Sequence, residues 1–241
     1  MTHQDKIEIA KLVVSIVGFA GTLVAFIVAL RQYKRSEQWK RGEFVAEEIK
    51  EFESNQTVRN AFLMIDWSVR KIKLDNTPGD GRGDIVSVTR EMQTRALLPH
   101  TIKPHYDHLR NAPSSPSTPI GSERGVSARF TPDEARIRDT YDVFLDYLER
   151  FANFIKSGLV SPKEFEPYLS YWINSIAGEQ KIQADIAWRL SLLTFIDFYE
   201  YDGVQYLFGA LGKNIKPGGH LYRHLLSSLQ DEPLKESLLS V

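Results

Sequence analysis

The chain has 241 residues, with 30 basic against 31 acidic side chains, 42% hydrophobic residues and no cysteine. The near-balance of charge argues against a broad nucleic-acid-binding face, which carries a basic excess. The missing cysteine excludes disulfides, cysteine-based zinc sites and thiol catalysis together.

Residues 12–30, LVVSIVGFAGTLVAFIVAL, contain no charge, and twelve of the nineteen are Leu, Ile, Val or Phe. At a helical rise of about 1.5 Å per residue the run reaches about 28 Å, the thickness of a bilayer's hydrocarbon core. Its apolar side chains favour insertion by about 5 kcal/mol in total. The run ends in Val28, Ala29, Leu30 and then Arg31 without an A-x-A cleavage pattern, so an uncleaved transmembrane helix is expected. Lys6 and Lys11 precede it, while Arg31, Lys34, Arg35, Lys40 and Arg41 follow within eleven residues. That asymmetry predicts a single pass through the cytoplasmic (inner) membrane, with the C-terminal part cytosolic. Tyr33 and Trp39 suit the headgroup level, and the five cations suit anionic lipid.

Inside the span, Ser15, Gly18, Thr22, Ala25 and Ala29 repeat at spacings of three, four, three and four. A seam of small residues lets helix backbones approach closely, so these five predict self-association in the bilayer.

Residues 31–54 have no Pro and one Gly, and the helix is expected to run on through them. Residues 31–41 carry five positive charges and one negative, whereas 42–53 carry one positive and five negative. Val45, Ile49 and Phe52 form a stripe for packing onto a domain. A second helix is read in SNQTVRNAFLMIDWSVRKIKL, capped by Asn55 or Thr57, with Val58, Phe62, Ile65, Val69 and Ile72 at helical spacing. DNTPGDGRGD breaks it. Asp75, Asp80 and Asp84 lack the ligand spacing of a calcium loop, so this is read as an exposed turn.

A short helix is predicted over residues 85–100, and NAPSSPSTPIGSERGVSAR predicts a mobile loop at about 111–130. Next comes a helix opened by Thr131 and Pro132 and stopped by Gly158, then one from Ser161 to Gly178 by the same grammar. Helices about residues 180–199 and 204–211 and a last one in the tail complete an all-α class. The expected organisation is a short extracytoplasmic tail over 1–11, the span over 12–30, a juxtamembrane helix over 31–54 and a cytosolic helical domain over 55–241.

Candidate chemistry is sparse. Arg95 and His100, in RALLPH, resemble the Arg and His that HEPN ribonucleases carry with four to six residues between them to stabilise and protonate a cleaving phosphodiester. Pro99 disfavours helical geometry at Leu98. His100, His105, His108 and Asp107 lack the companion ligand that completes a metal site, so no metal and no cofactor is expected. Gly209 and Gly212 lack the spacing of a phosphate loop, and no Gly-x-Ser-x-Gly element is present. The aromatic run of Phe195, Phe198, Tyr199, Tyr201, Tyr206 and Phe208 is read as core.

LRQYKRSEQWKRGEFVAEEIKEFESNQTVRNAFLMIDW and IRDTYDVFLDYLERFANFIKSGLVSPKEFEPYLSYWINSI resemble a group of bacterial single-span membrane proteins whose all-helical cytosolic domain has no assigned function. The resemblance covers Leu30 to about Leu211 and implies no catalytic residues. In architecture the chain is also similar to the membrane accessory proteins of type VI CRISPR systems, which have HEPN-like domains and form pores. Together these readings predict a membrane-anchored homo-oligomer, acting as a pore or effector in stress or phage defence, with the lipid bilayer and a cytosolic protein as partners. One alternative is a membrane-tethered HEPN-like ribonuclease, the only reading that brings in nucleic acid. The other is a passive scaffold that docks a partner on the acidic segment between Glu43 and Glu53.

Overall fold

The computed structural model describes residues 3–74, 84–111, 130–178 and 183–239. The described residues form ten helices and one two-stranded hairpin, so the expected helical class holds at that level. The chain divides into two compact units, residues 1–47 and 48–241. The turn expected at 75–84, except for its last residue, and the interior of the loop expected at 111–130 lie outside the described residues.

The first unit lies within α1 (His3–Ser54), 52 residues long. The tail expected at 1–11 is therefore helical from its third residue. Every residue from Gly18 to Lys40 is exposed. Among the described residues no helix is long and apolar enough to cross a membrane. Five of the nineteen residues in 12–30 (12–14, 16 and 17) lie outside the described side chains.

The second unit takes in the last turns of α1, which runs without a break through the juxtamembrane segment read at 31–54. Ile49 and Phe52 are buried, as their stripe predicts. The Phe52 ring lies 5.3 Å from Phe62, 6.0 Å from Phe144, 5.4 Å from Tyr147 and 5.3 Å from Phe151. Phe62 stacks on Trp172 at 3.9 Å, and Phe151 on Phe165 at 4.8 Å. One aromatic cluster thus joins the end of α1 to α2 (Gln56–Asp66), α5 (Pro132–Lys156) and α6 (Pro162–Ala177). Dispersion and loss of water contact at these faces are what hold the four helices together.

Local chemistry sets the helix ends. The Asn55 side chain accepts from the backbone N–H groups of Thr57 and Val58 at 2.9 and 3.2 Å, opening α2. Thr131 and Glu134 form a reciprocal capping box at the start of α5, with Pro132 in the first turn. Glu164 reaches back to the Ser161 N–H at 2.6 Å for α6. Gly158 adopts φ 74°, which a side chain would strain, and so lets the chain leave α5.

The second helix is shorter than its periodicity suggested. It ends at Asp66, and Trp67 is extended. Val69 and Ile72 belong to β1 (Val69–Leu74), which pairs antiparallel with β2 (Asp84–Thr89). The helix expected over 85–100 is likewise a strand followed by α3 (Arg90–Leu97). Ile72 and Leu74 are buried while Lys71 and Lys73 are exposed, the period of two that a half-covered strand requires. The remaining helices are α4 (Lys103–Asn111), α7 (Gln183–Phe198), α8 (Asp202–Ala210), α9 (His220–Ser228) and α10 (Glu232–Leu239). Helix α7 packs on α3, α8 and α9, and α5 packs on α2, α3 and α8.

Phe52 closes the centre of the aromatic cluster, so Phe52→Ala should cost about 3–5 kcal/mol. Chemical denaturation of the full-length chain measures it; a loss under about 1 kcal/mol would mean that the end of α1 is not part of the core.

Candidate functional site: the exposed helix and the polar core

The residues expected to act at a membrane lie together on α1. At about 100° per residue, Ser15, Gly18, Thr22, Ala25 and Ala29 fall within an arc of about 80°. All five are exposed. Nothing lies within 4 Å of the position a Cβ would take on Gly18 or Gly21. The Thr22 hydroxyl donates to the Gly18 carbonyl at 2.9 Å, which satisfies that hydroxyl proton within the helix. Phe19, Leu23, Val24, Phe26, Ile27, Val28 and Leu30 fill the rest of the circumference, all exposed. The helix is therefore apolar around its whole girth over this stretch.

Arg31, Tyr33, Lys34, Arg35, Trp39 and Lys40 follow, also exposed, with Trp39 at 74%. Arg41 pairs with Glu37 at 2.8 Å one turn away. This neutralises the only acid in the segment and leaves the other four cations facing solvent.

Farther along, the acidic segment is partly consumed inside the second unit. Arg150 of α5 pairs with Glu48 at 2.5 Å and Glu51 at 3.2 Å, and its guanidinium lies over the Tyr147 ring. The Tyr147 hydroxyl donates to Glu51 at 3.2 Å. The hydrogen bond and charge of Arg150 hold the Glu51 carboxyl below its ordinary value of 4.5. Glu43, Glu47 and Glu53 remain exposed.

Arg95 and His100 are engaged with different groups, and no contact among the described residues joins them. Arg95, on α3, bonds Glu134 at 3.0 Å and Asp107 at 3.1 Å. Lys103, only 2% exposed, bonds the same two acids at 3.4 and 2.6 Å. The four charges form a closed square between α3, α4 and α5. His100 lies beyond the end of α3, after an extended Leu98 of the kind that Pro99 imposes. Its Nδ1 meets the Tyr199 hydroxyl at 3.0 Å. Among the described residues no group of three or more His, Asp or Glu is placed to hold a metal ion; Asp107 is occupied by the square, and His108 is exposed.

Sequence reasoning missed the polar core. Arg90 donates to Asp185 at 2.7 Å, to Gln93 at 3.0 Å, and to the carbonyls of Ile65 at 2.6 Å and Met64. Its guanidinium stacks 4.1 Å from the Trp188 ring. Trp188 Nε1–H donates to the Tyr141 hydroxyl at 3.0 Å, which donates to Gln93 at 2.9 Å. Burial pushes the Tyr141 phenol far up, so it stays protonated and remains a donor. Arg138 is held in the same manner beside the core. It donates to the carbonyls of Ala96 and Leu98 at 2.8 and 3.0 Å, and lies over Phe130, Phe195 and Tyr199. Part of the aromatic run from 195 to 208 is therefore the wall of an internal guanidinium box, while Phe208 is plain core.

Two clefts flank Arg90. One, of ≈ 160 Å3, is lined by Glu91, Thr94, Tyr106, Arg110 and Asp231; the other, of ≈ 250 Å3, by Asp66, Ser68, Tyr171, Ser175 and Asp185. Neither is lined by Arg95 or His100.

Comparison of the chain with protein-family models, curated proteins and solved structures returns no match. The functional reading therefore rests on the residues themselves.

Arg95→Ala leaves buried Glu134 and Lys103 in a broken square and should cost about 1–3 kcal/mol. His100→Ala, at an exposed bond, should cost under about 0.5 kcal/mol. Parallel melts of the two variants check this; equal effects would contradict a structural role special to Arg95. The depressed Glu51 carboxyl stabilises the fold above its ordinary value near 4.5, and that contribution is lost as pH falls through its lower folded value. Glu51→Gln should therefore melt below the wild type at neutral pH and converge with it in acid. A gap that stays constant with pH would count against the charge pairing.

Proposed function

We propose that the chain is a single-pass membrane protein that self-associates through its N-terminal helix and acts at the membrane as an oligomeric pore or effector, with the folded second unit in the cytosol. The observation that carries this reading is the girth of α1 between Gly18 and Leu30, apolar and exposed on every side. An amphipathic helix hides one stripe against its own domain. A helix apolar all round needs apolar surroundings, and lipid is the solvent that matches it.

The nineteen uncharged residues of 12–30 supply the length, and the cluster from Arg31 to Arg41 supplies the orientation. Each cation near an anionic leaflet is worth about 1 kcal/mol, so the cluster also fixes how deep the helix sits. The exposed small-residue arc gives the spans a face for close packing. A role in stress or phage defence fits a bilayer-disrupting assembly and is the biological setting we propose for it.

Alkaline carbonate extraction of membranes from expressing cells tests the anchor. The chain should stay in the membrane, and protease should digest the second unit only from the cytosolic side; release into the wash would contradict a span. Dye-loaded vesicles then separate pore from tether. A pore releases dye, and Gly18→Leu with Ala25→Leu should cut release at least tenfold. Intact vesicles carrying the inserted chain would leave only a scaffold.

A further inference from the structure

The hairpin has an open edge of unusual composition. The Lys73 carbonyl accepts from the Asn60 side chain at 2.9 Å and so points away from β2. Arg90 N–H donates across to the Ser68 carbonyl at 2.9 Å, continuing the ladder from the other end. Both facts give the same parity. Pairs Arg70 with Val88 and Ile72 with Val86 exchange hydrogen bonds, while Lys71 with Ser87 and Lys73 with Ile85 do not. The N–H and C=O groups of Ile85 and Ser87 therefore point outward from β2. Among the described residues no backbone group outside the hairpin bonds to any of these four.

The other edge, on β1, is covered where α2 packs against it. Exposed strand edges are templates for pairing, and proteins blunt them with charge, Pro or bulges. Strand β2 has none of these after Asp84: it reads Ile85, Val86, Ser87, Val88, Thr89. Ile85 is 72% exposed, and Ser87 is exposed too.

We propose that β2 pairs antiparallel with β2 of a second copy of this chain, joining two hairpins into a four-stranded sheet. The occupant follows from charge. Pairing about Ser87 sets Ile85 opposite Thr89, Val86 opposite Val88 and Ser87 opposite its own copy, all uncharged, whereas the strand with Arg70, Lys71 and Lys73 stays outermost, away from its own copy. Like charges opposite one another would have opposed pairing. The joint is small: a six-residue edge falls well short of the roughly 1,200 Å2 of a stable free interface. It closes only between chains already held together, and a shared bilayer supplies that effective concentration. The proposal thus rests on the membrane-anchored, self-associating reading and adds the surface that orders the cytosolic units.

The absence of cysteine makes the test direct. Ser87→Cys is introduced into the full-length chain, which is reconstituted in vesicles and oxidised. Pairing about Ser87 puts the two copies of this residue directly opposite each other, within the Cα separation a disulfide spans. The expected result is a disulfide-linked dimer that a cysteine at Lys71 does not give and that adding Ile85→Lys reduces at least fivefold, with the melting temperature unchanged. Equal crosslinking at Ser87 and Lys71 would mean random collision and overturn the pairing. Oligomers that form without any Ser87 crosslink would overturn the edge and leave self-association through the span standing. A chain that stays monomeric in vesicles would overturn both.

Discussion

A buried guanidinium organises the second unit. Arg90 ties the last carbonyls of α2 to α3 and, through Asp185, to α7; its stack on Trp188 leads to Tyr141 of α5. A buried charge of this kind is tolerated only when its donors are met, and four of them are. The geometry that meets them requires α2 to stop at Asp66, because a further helical turn would use the carbonyls of Met64 and Ile65 within the helix. The hairpin exists because α2 stops there, and its open edge exists because the hairpin does.

The end of α1 is secured to the same unit by a different device. Phe52 enters the aromatic cluster, and Arg150 grips Glu48 and Glu51 on the rim. Apolar contact supplies most of the strength, since exposed ion pairs contribute little each. The charges decide which turn of the helix is held. The segment just before it, from Arg31 to Arg41, has the opposite charge, so one continuous helix carries a basic half followed by an acidic half.

Much of this was legible from sequence where local rules decide. Thr131, Pro132 and Gly158 mark α5 because capping chemistry is local, and Ile49 and Phe52 declare their face by spacing alone. The hairpin was not legible by spacing: Val69 and Ile72 extend the helical period of α2, and only the Pro- and Gly-rich sequence between two short β-branched runs pointed the other way. The polar core was hidden for a further reason. Arg90, Asp185 and Lys103 look like surface residues in sequence, and their burial depends on contacts between elements as much as 95 residues apart. Arg95 and His100 show the converse, since a suggestive spacing in sequence resolves into two side chains held by separate partners.

In the proposed reading the apolar stretch of α1 lies in lipid and its exposed arc of small residues is where two such helices pack. That proposal stands or falls on association through the arc. The most direct measurement is the mass of the full-length chain in detergent beside the Gly18→Leu, Ala25→Leu variant. A discrete multimer for the first and a monomer for the second is the predicted result; a monomeric wild type, or multimers of equal mass, would contradict it.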